Sequence, residues 1–185
     1  MFTNGGVVFD NIDFDDAADK VVFEAHGNFY TGPIMGVEKG PNSSIVRKDT
    51  GVRTGAAIAS RDYFGAGSYE VRMKVAGELG VCTAIWTFFY SDQDGAGPII
   101  NHEIDIELPG RPAEGLADIG FDKALMNTWV SEGDYYTGYM QLDQLMNDGL
   151  FHTWRFDWHT GTGDDASDSD PRVDFYVDGN LYTTN

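Results

Sequence analysis

Hydrophobic and polar residues alternate along most of this chain in short runs, a pattern typical of β-strands. The runs are rich in valine, isoleucine and aromatic residues, and turns containing glycine and aspartate separate them. No long segment repeats apolar residues at helical spacing, and the one helix candidate, Leu142–Met146, is short. The pattern therefore predicts an all-β sandwich or barrel. The predicted strands are Val21–Ala25, Ala56–Ser60, Gly67–Val75, Ala84–Tyr90, His102–Leu108, Leu125–Val130, His152–His159 and Val173–Val177.

Two longer segments between these strands are predicted to be loops. Ser91–Asn101 carries two aspartates, two glycines and a proline, and Gly161–Pro171 carries four aspartates. The second segment lacks the ordered ligand spacing and the closing glutamate of an EF-hand calcium loop. A solvated acidic hairpin tip is therefore the preferred interpretation.

Composition indicates an ordinary globular domain, which we expect to be single and to cover residues 1–185. The chain has 185 residues, 42% of them hydrophobic, enough to fill a core. Its formal charge is −18, from 30 acidic and 12 basic residues. This charge argues against nucleic acids and anionic membranes as partners, because no cationic surface is available to neutralise phosphates. A neutral polysaccharide is not repelled.

Cys82 is the only cysteine, so no intrachain disulfide can form and stability must come from packing. It flanks a strongly apolar run, and we expect a buried, inert thiol rather than a nucleophile. The sequence also contains no run of about 20 apolar residues that would span a bilayer. Its N-terminus lacks the basic and apolar regions of a secretory signal.

One predicted strand carries three acids on a single face. Side chains alternate across a strand, so Glu103, Asp105 and Glu107 project together, while Ile104 and Ile106 point to the other face. Two glutamates four residues apart that lean toward each other leave roughly 5 to 6 Å between their carboxyl groups, the separation found in retaining glycosidases. A solvated acidic face and a cation site made of carboxylates are the alternatives.

The preceding strand presents aromatic side chains in the same alternating manner. Trp86, Phe88 and Tyr90 share one face, and Ile85, Thr87 and Phe89 share the other. If this strand lies beside the acid strand, the Trp86 face is an aromatic floor on which sugar rings stack. The alternative is that both faces are packed into the protein.

Several segments resemble glycoside hydrolase family 16. The run Asn101–Gly110 (NHEIDIELPG) is similar to the family signature in the form with one residue between the second and third acids. Ser60–Lys74 resembles the family's strand-turn-strand before the catalytic strand, and Phe151–Trp158 and Val173–Gly179 resemble two later strands. Together these segments cover most of residues 50 to 182 in the family's order.

The resemblance implies a concanavalin-A-like β-jelly-roll sandwich of two antiparallel sheets, with an open cleft across the concave sheet. By position it implies that Glu103 is the nucleophile and Glu107 the general acid/base. The resemblance also implies that Asp105 between them hydrogen-bonds and tunes their charge. Arg61 matches an arginine that contacts sugar hydroxyls, with a surface ion pair as its alternative. The other implied substrate contacts are Trp86, Phe88, Asn127 and Trp129.

Two features depart from the family pattern. Asn101 and His102 stand where lichenases often carry a tryptophan, and alternation directs His102 away from the cleft, which favours a structural histidine. The chain also ends at Asn185, before the further strands that family members usually carry, so we expect either a fragment or a member that lacks those C-terminal strands by deletion.

The resulting hypothesis is a retaining endo-β-glycanase that hydrolyses internal bonds of a β-glucan through a glycosyl-enzyme intermediate. A non-catalytic carbohydrate-binding protein on the same fold and a transglycosylase are the alternatives. The chemistry requires no cofactor, although the family resemblance implies a structural calcium, whose ligands the sequence does not identify. The resemblance also implies a secreted or periplasmic protein. The sequence is compatible with β-1,3-1,4-glucan, β-1,3-glucan or a galactan as substrate, and it does not indicate an oligomeric state.

Overall fold

The computed structural model describes residues 5–26, 36–39, 45–48, 53–78, 80–91, 100–110, 120–131, 133–161 and 170–185. The chain forms two compact units, Met1–Tyr63 and Phe64–Asn185. The expectation of a single domain over residues 1–185 stays a prediction. In the described ranges, no helix has both the length and the apolar character needed to cross a membrane.

The first unit is built from short strands. β1 pairs with β4 in antiparallel and with β6 in parallel orientation, which gives a sheet of order β5-β4-β1-β6. β2 and β3 form a separate hairpin, and a short 3-10 helix, Phe9–Asn11, precedes it. The strands are β1 (Gly5–Val7), β2 (Ile12–Asp15), β3 (Lys20–Phe23), β4 (Gly36–Lys39), β5 (Ile45–Lys48) and β6 (Arg53–Gly55).

The second unit contains two four-stranded antiparallel sheets. One has the order β11-β10-β9-β8 and the other the order β14-β13-β12-β7. The strands are β7 (Gly67–Met73), β8 (Val81–Ser91), β9 (Ile100–Gly110), β10 (Lys123–Ser131), β11 (Asp134–Gln141), β12 (His152–His159), β13 (Arg172–Val177) and β14 (Asn180–Thr184). These two sheets confirm the predicted all-β sandwich.

The hydrophobic core of this unit lies between its two sheets. Ile104, Ile106 and Leu108 alternate on one face of β9 and are buried, as are Ala124 and Met126 on β10. They share the core with large side chains from the opposite sheet. Burying such residues removes apolar surface from water at roughly 25 cal/mol per Å², so the core fixes which face of β9 points inward. The opposite-sheet members are Trp154, Phe156, Val173, Phe175 and Val177.

Most predicted strands are confirmed with shifts of a few residues at their ends. His152–His159 matches β12 at both ends, and His102–Leu108 is the centre of the longer β9. Val21–Ala25 corresponds to β3, which begins and ends earlier. The structure also contains strands that the sequence did not predict: β1, β2, β4, β5, β6, β11 and β14.

The predicted strand Ala56–Ser60 is wrong, because the pairing of β6 with β1 ends at Gly55, one residue before this segment begins. β6 covers Arg53–Gly55 and pairs in parallel with β1, whereas residues 56–60 have no strand conformation. Ile58 is 59% exposed. An apolar run becomes a strand only where a partner accepts its backbone hydrogen bonds.

The helix candidate Leu142–Met146 is also wrong. Leu142 and Met146 are both buried, which explains their helical spacing in the sequence. Their backbone N–H groups, however, donate to the carbonyl oxygens of Asp122 (2.7 Å) and Phe121 (2.9 Å), not to carbonyls one helical turn earlier. The segment is an irregular connection that packs two apolar side chains into the core.

Of the two predicted loops, residues 92–99 and 162–169 lie outside the described residues. Ser91 belongs to β8, and Ile100 and Asn101 belong to β9. The strands that border this loop are therefore longer than the sequence pattern indicated.

Candidate active site

The three acids lie together on the face of β9 that points away from the core. Glu103 and Glu107 are partly exposed, whereas Asp105 between them is only 3% exposed. We call Glu103, Asp105 and Glu107 the acid row. The predicted separation of the glutamate carboxyl groups stays a prediction.

The register of the sheet gives each acid a defined pair of neighbours. Glu103 lies between Phe88 of β8 and Trp129 of β10. Directly paired residues on antiparallel strands project to the same face, so these aromatic side chains flank the carboxyl group. In the same way Asp105 lies between Trp86 and Asn127, and Glu107 lies between Ala84 and Leu125.

Asp105 has a strongly raised pKa. Its pKa is raised to about 7, first by burial and then by the neighbouring Glu103 and Glu107, against the opposing effect of the Asn127 hydrogen bond. Asn127 donates from Nδ2 to Asp105 Oδ2 over 2.7 Å, and its side chain is itself buried. Near neutral pH, Asp105 therefore exists in both its protonated and its ionised forms.

Asn101 provides a second amide next to the acid row. It lies two residues before Glu103 on the same face of β9 and donates from Nδ2 to Glu103 Oε2 over 3.5 Å. The Oδ1 atoms of Asn101 and Asn127 are buried and accept no hydrogen bond within the described part of the chain. A buried acceptor without a donor is costly, so the amide groups of both residues add to the strain of the acid row.

Exposed aromatic rings flank the acid row on both sides. Trp86 and Phe88 on β8 are 47% and 54% exposed, so the predicted aromatic face is open to solvent. On the other side Trp129 stacks against Tyr135 of β11, with ring centroids 4.4 Å apart. Tyr135 is 49% exposed. The sequence reasoning did not find Tyr135, because it did not predict β11.

The other predicted positions have different surroundings. Arg61 is exposed, lies outside the strands and belongs to the first unit, and its contact with a sugar stays a prediction. His102 is exposed on the opposite face of β9 from Glu103, with its ring stacked against Phe89 at a centroid distance of 6.4 Å. Alternation thus directs His102 away from the acid row.

Cys82 corrects an expectation, because it is exposed and not buried. It pairs with Pro109 in the register of β8 and β9, on the same face as Ala84 and Trp86. Only every second residue of β8 points toward the core, and Cys82 is one of the residues that point outward.

Among the residues that the structure describes, no group of three or more His, Cys, Asp or Glu side chains is placed to hold a metal ion, the acid row included. The structural calcium implied by the resemblance stays a prediction.

Comparison with known proteins identifies the class to which this fold and acid row belong. Residues 10–185 match the family model of glycosyl hydrolases family 16, and the chain belongs to that family.

The chain resembles two β-glucanases over part of their length. A β-glucanase of Acetivibrio thermocellus is 32% identical over 125 residues, a match that covers 65% of this chain and 29% of the relative. A second β-glucanase, from a named strain of the same organism, is 30% identical over 128 residues with the same coverage. The chain thus spans less than a third of the length of these curated relatives.

Two solved structures share the jelly-roll fold. The catalytic domain of an endo-1,3-β-glucanase (laminarinase) from Thermotoga petrophila RKU-1 superposes with a TM-score of 0.58 at 17% identity, covering 96% of this chain and 60% of the other. A family 16 protein of a Bacteroides ovatus mixed-linkage glucan PUL, in complex with the product G4G4G3G, gives a TM-score of 0.56 at 14% identity. That match covers 97% of this chain and 65% of the other.

Proposed function

We propose that this protein is a retaining endo-β-glucanase whose catalytic groups are Glu103 and Glu107. The observation that carries the proposal is the acid row itself: two partly exposed glutamates on one strand face, with the buried Asp105 between them and open aromatic rings on both sides. A glycosidase needs a carboxylate and a carboxylic acid on either side of one glycosidic bond, and aromatic surfaces suit the apolar faces of sugar rings.

In the first step of the proposed reaction, the ionised carboxylate of Glu103 attacks the anomeric carbon and forms a glycosyl ester. Glu107 donates its proton to the glycosidic oxygen, so the bond to the leaving sugar breaks without a charged alkoxide. In the second step Glu107, now ionised, takes a proton from water while the water oxygen attacks the same carbon. Glu103 leaves as a carboxylate, and two inversions give net retention.

Asp105 is proposed to regulate charge within the acid row. A protonated Asp105 removes one negative charge from between the two glutamates and therefore lowers the electrostatic repulsion on the nucleophilic carboxylate of Glu103. When Glu103 becomes a neutral ester, one cause of the raised pKa of Asp105 disappears and Asp105 releases its proton more easily. The amide of Asn127 holds Asp105 in place for both states. Asn127 would thus be a positioning residue.

The proposed substrate is an internal segment of a β-glucan with β-1,3 or mixed β-1,3-1,4 linkages, in agreement with the names of the similar proteins. Such a polymer is too large to enter a cell intact, so a secreted or periplasmic location is part of the proposal. A neutral polymer also suits a chain of charge −18, which repels anionic polymers.

Product analysis on a small panel of polysaccharides tests the proposal. Mixed-linkage β-glucan, β-1,3-glucan and a galactan are incubated with the protein, and product sizes are followed over time. We expect mid-length oligosaccharides early in the reaction with a glucan, and proton NMR should detect the β-anomer first. An initial α-anomer would overturn retention. Binding without any product would favour the non-catalytic alternative, and longer products made from an oligosaccharide donor would favour the transglycosylase.

A further inference from the structure

We infer that Tyr135 on β11, stacked with Trp129, extends the glucan-binding surface to the edge of the sheet and binds a sugar ring beyond the acid row. This inference rests on the proposed function and deepens it. Trp129 was predicted from the family resemblance to contact substrate, whereas Tyr135 follows only from the register of β11.

The register places Tyr135 in line with the proposed nucleophile. Glu103 pairs with Trp129, and Trp129 pairs with Tyr135, so the three side chains follow one another across neighbouring strands on one face. Adjacent strands lie about 4.8 Å apart, which puts the Tyr135 backbone roughly 10 Å from that of Glu103. A glucan that crosses the strands over Glu103 and Trp129 therefore reaches Tyr135 next.

The solvent exposure of Trp129 and Tyr135 distinguishes their stack from a packing contact in the core. A stack that served only the core would be buried, but Tyr135 is 49% exposed and Trp129 keeps partial access to solvent. The opposite face of β11 makes the core contact, since Met140 packs against the buried cluster there. The Trp129–Tyr135 stack thus forms a preorganised apolar surface that faces solvent beside the acid row.

The chemistry around the stack suits a neutral polyhydroxylated ligand. Thr137 follows Tyr135 on the same face, is exposed and pairs with Asn127. An aromatic ring next to an exposed hydroxyl provides stacking for the C–H face of a sugar and a hydrogen bond for one of its hydroxyl groups. The acid row on the same sheet face repels anions, so this surface favours a neutral ligand over an anionic one.

Tyr136 supplies a matched control for the experiment. It is the next residue on the same strand, has the same side chain and is 58% exposed, but it points to the other face. Affinities for glucan oligosaccharides of increasing length are measured by calorimetry for Tyr135→Ala, Tyr135→Phe and Tyr136→Ala, each in a Glu103→Gln background that suppresses turnover. Thermal melts of the same proteins report on folding.

We expect Tyr135→Ala to weaken binding of the longer oligosaccharides by about three- to tenfold, since an aromatic stack contributes roughly that factor. The shortest oligosaccharide should bind unchanged, and Tyr135→Phe and Tyr136→Ala should bind like the parent. Equal affinity of Tyr135→Ala and Tyr136→Ala for every length would overturn the inference, as would a loss that is the same at all lengths. If the wild-type protein cleaves glucan but Tyr135→Ala binds as tightly as its Glu103→Gln parent, only this inference fails. If no glucan is bound, the proposed function fails with it.

Discussion

Two buried aspartates in the second unit, Asp105 and Asp174, lie on different sheets and have opposite surroundings. Asp174 on β13 is 7% exposed and accepts hydrogen bonds from Arg172 Nε (3.0 Å) and Thr184 Oγ1 (2.6 Å). His159 Nε2 lies 3.3 Å from the same carboxylate. Asp105 is equally buried, but its neighbours on β9 are two further acids, and its hydrogen bond comes from a neutral amide.

The difference indicates that the carboxylate of Asp174 stabilises the fold, whereas that of Asp105 is suited to a functional role. A buried carboxylate that is surrounded by cationic groups and donors is compensated, and removal of its charge leaves the partners unsatisfied. A buried carboxylate among like charges is poorly compensated and costs stability in its ionised form. Perturbed acids of this kind concentrate at functional sites. The predictions below test this contrast between the two aspartates.

The largest expected effect is on turnover. Glu103→Gln and Glu107→Gln should each lower kcat by at least about a thousandfold, because each removes one group of a two-step displacement. Binding of glucan should persist, since glutamine keeps the size and polarity of the side chain. Reducing-sugar assays and calorimetry measure the two quantities. Asp174→Asn is the matched control, and its kcat should stay within about twofold of the wild type. A glutamine variant that hydrolyses glucan at the parent rate would remove the acid row from catalysis.

The next effect concerns the stability cost of Asp105. Its pKa is about 7 in the folded protein, against 3.8 for an ordinary aspartate, so the unfolded chain loses this proton at lower pH. The resulting contribution to stability is fully present below pH 3.8 and is lost as pH rises through about 7. Asp105→Asn removes this dependence.

Urea unfolding from about pH 4 to pH 8 measures this effect. The free energy of unfolding of the wild type should fall relative to that of Asp105→Asn by an amount on the order of a few kcal/mol. At about pH 8 the variant should be the more stable protein, although it loses activity. Parallel stability curves for the two proteins would show that the ionised Asp105 carries no such cost.

Asp174→Asn should lower the free energy of unfolding, whereas Asp105→Asn should raise it at about pH 8. The substitution withdraws the anion that Arg172 and His159 face, and we expect a loss of about 1 to 3 kcal/mol in the free energy of unfolding. The loss is smaller than for a fully buried pair, because the side chains of Arg172 and His159 are 26% and 25% exposed. Asp134→Asn, at an exposed position on β11, should change stability by less than about 0.5 kcal/mol. Equal melting temperatures for the two variants would contradict the structural role of Asp174.

Much of the sheet that carries the acid row could be predicted from the sequence, because hydrophobic and polar residues alternate strongly over β8, β9 and β10. Ile104 and Ile106 mark the inward face, and the outward position of the acids follows from them. β11 was missed because Asp134 and Gly138 are poor strand formers and most of its side chains are exposed, so no hydrophobic alternation marks it. The strands of the first unit were mostly missed because they are only three or four residues long.

The pairing across strands could not be predicted in the same way. The position of Tyr135 follows from two strand pairings: β9 with β10 places Trp129 next to Glu103, and β10 with β11 places Tyr135 next to Trp129. The register of each pairing depends on the core and on turns distant in the sequence. The bond from Asn127 to Asp105 joins residues 22 positions apart. The large pKa shift of Asp105 depends on burial, which single-strand alternation does not reveal.

The smallest expected effect is a pH dependence of stability at His152. This residue opens β12 and is 4% exposed, with Nδ1 2.7 Å from Asp178 Oδ2 and Nε2 3.2 Å from Asp148 Oδ1. Burial disfavours the protonated ring, but the two aspartates outweigh this effect and raise the pKa of His152 above its ordinary value of 6.5. Like Asp174, and unlike Asp105, His152 thus has neighbours of opposite charge.

The sign of the His152 effect follows from this raised pKa. Its contribution is fully present below pH 6.5 and is lost as pH rises through the folded-state value. Asp105 produces a loss in an overlapping range, so we compare Asp105→Asn with Asp105→Asn/His152→Gln, in which only the histidine differs. Melting temperatures between about pH 5 and pH 9 should fall with pH in the first protein and be flatter in the second. Equal slopes would show that the two aspartates do not hold a proton on His152, and the contrast with the acid row would then rest on Asp174 alone.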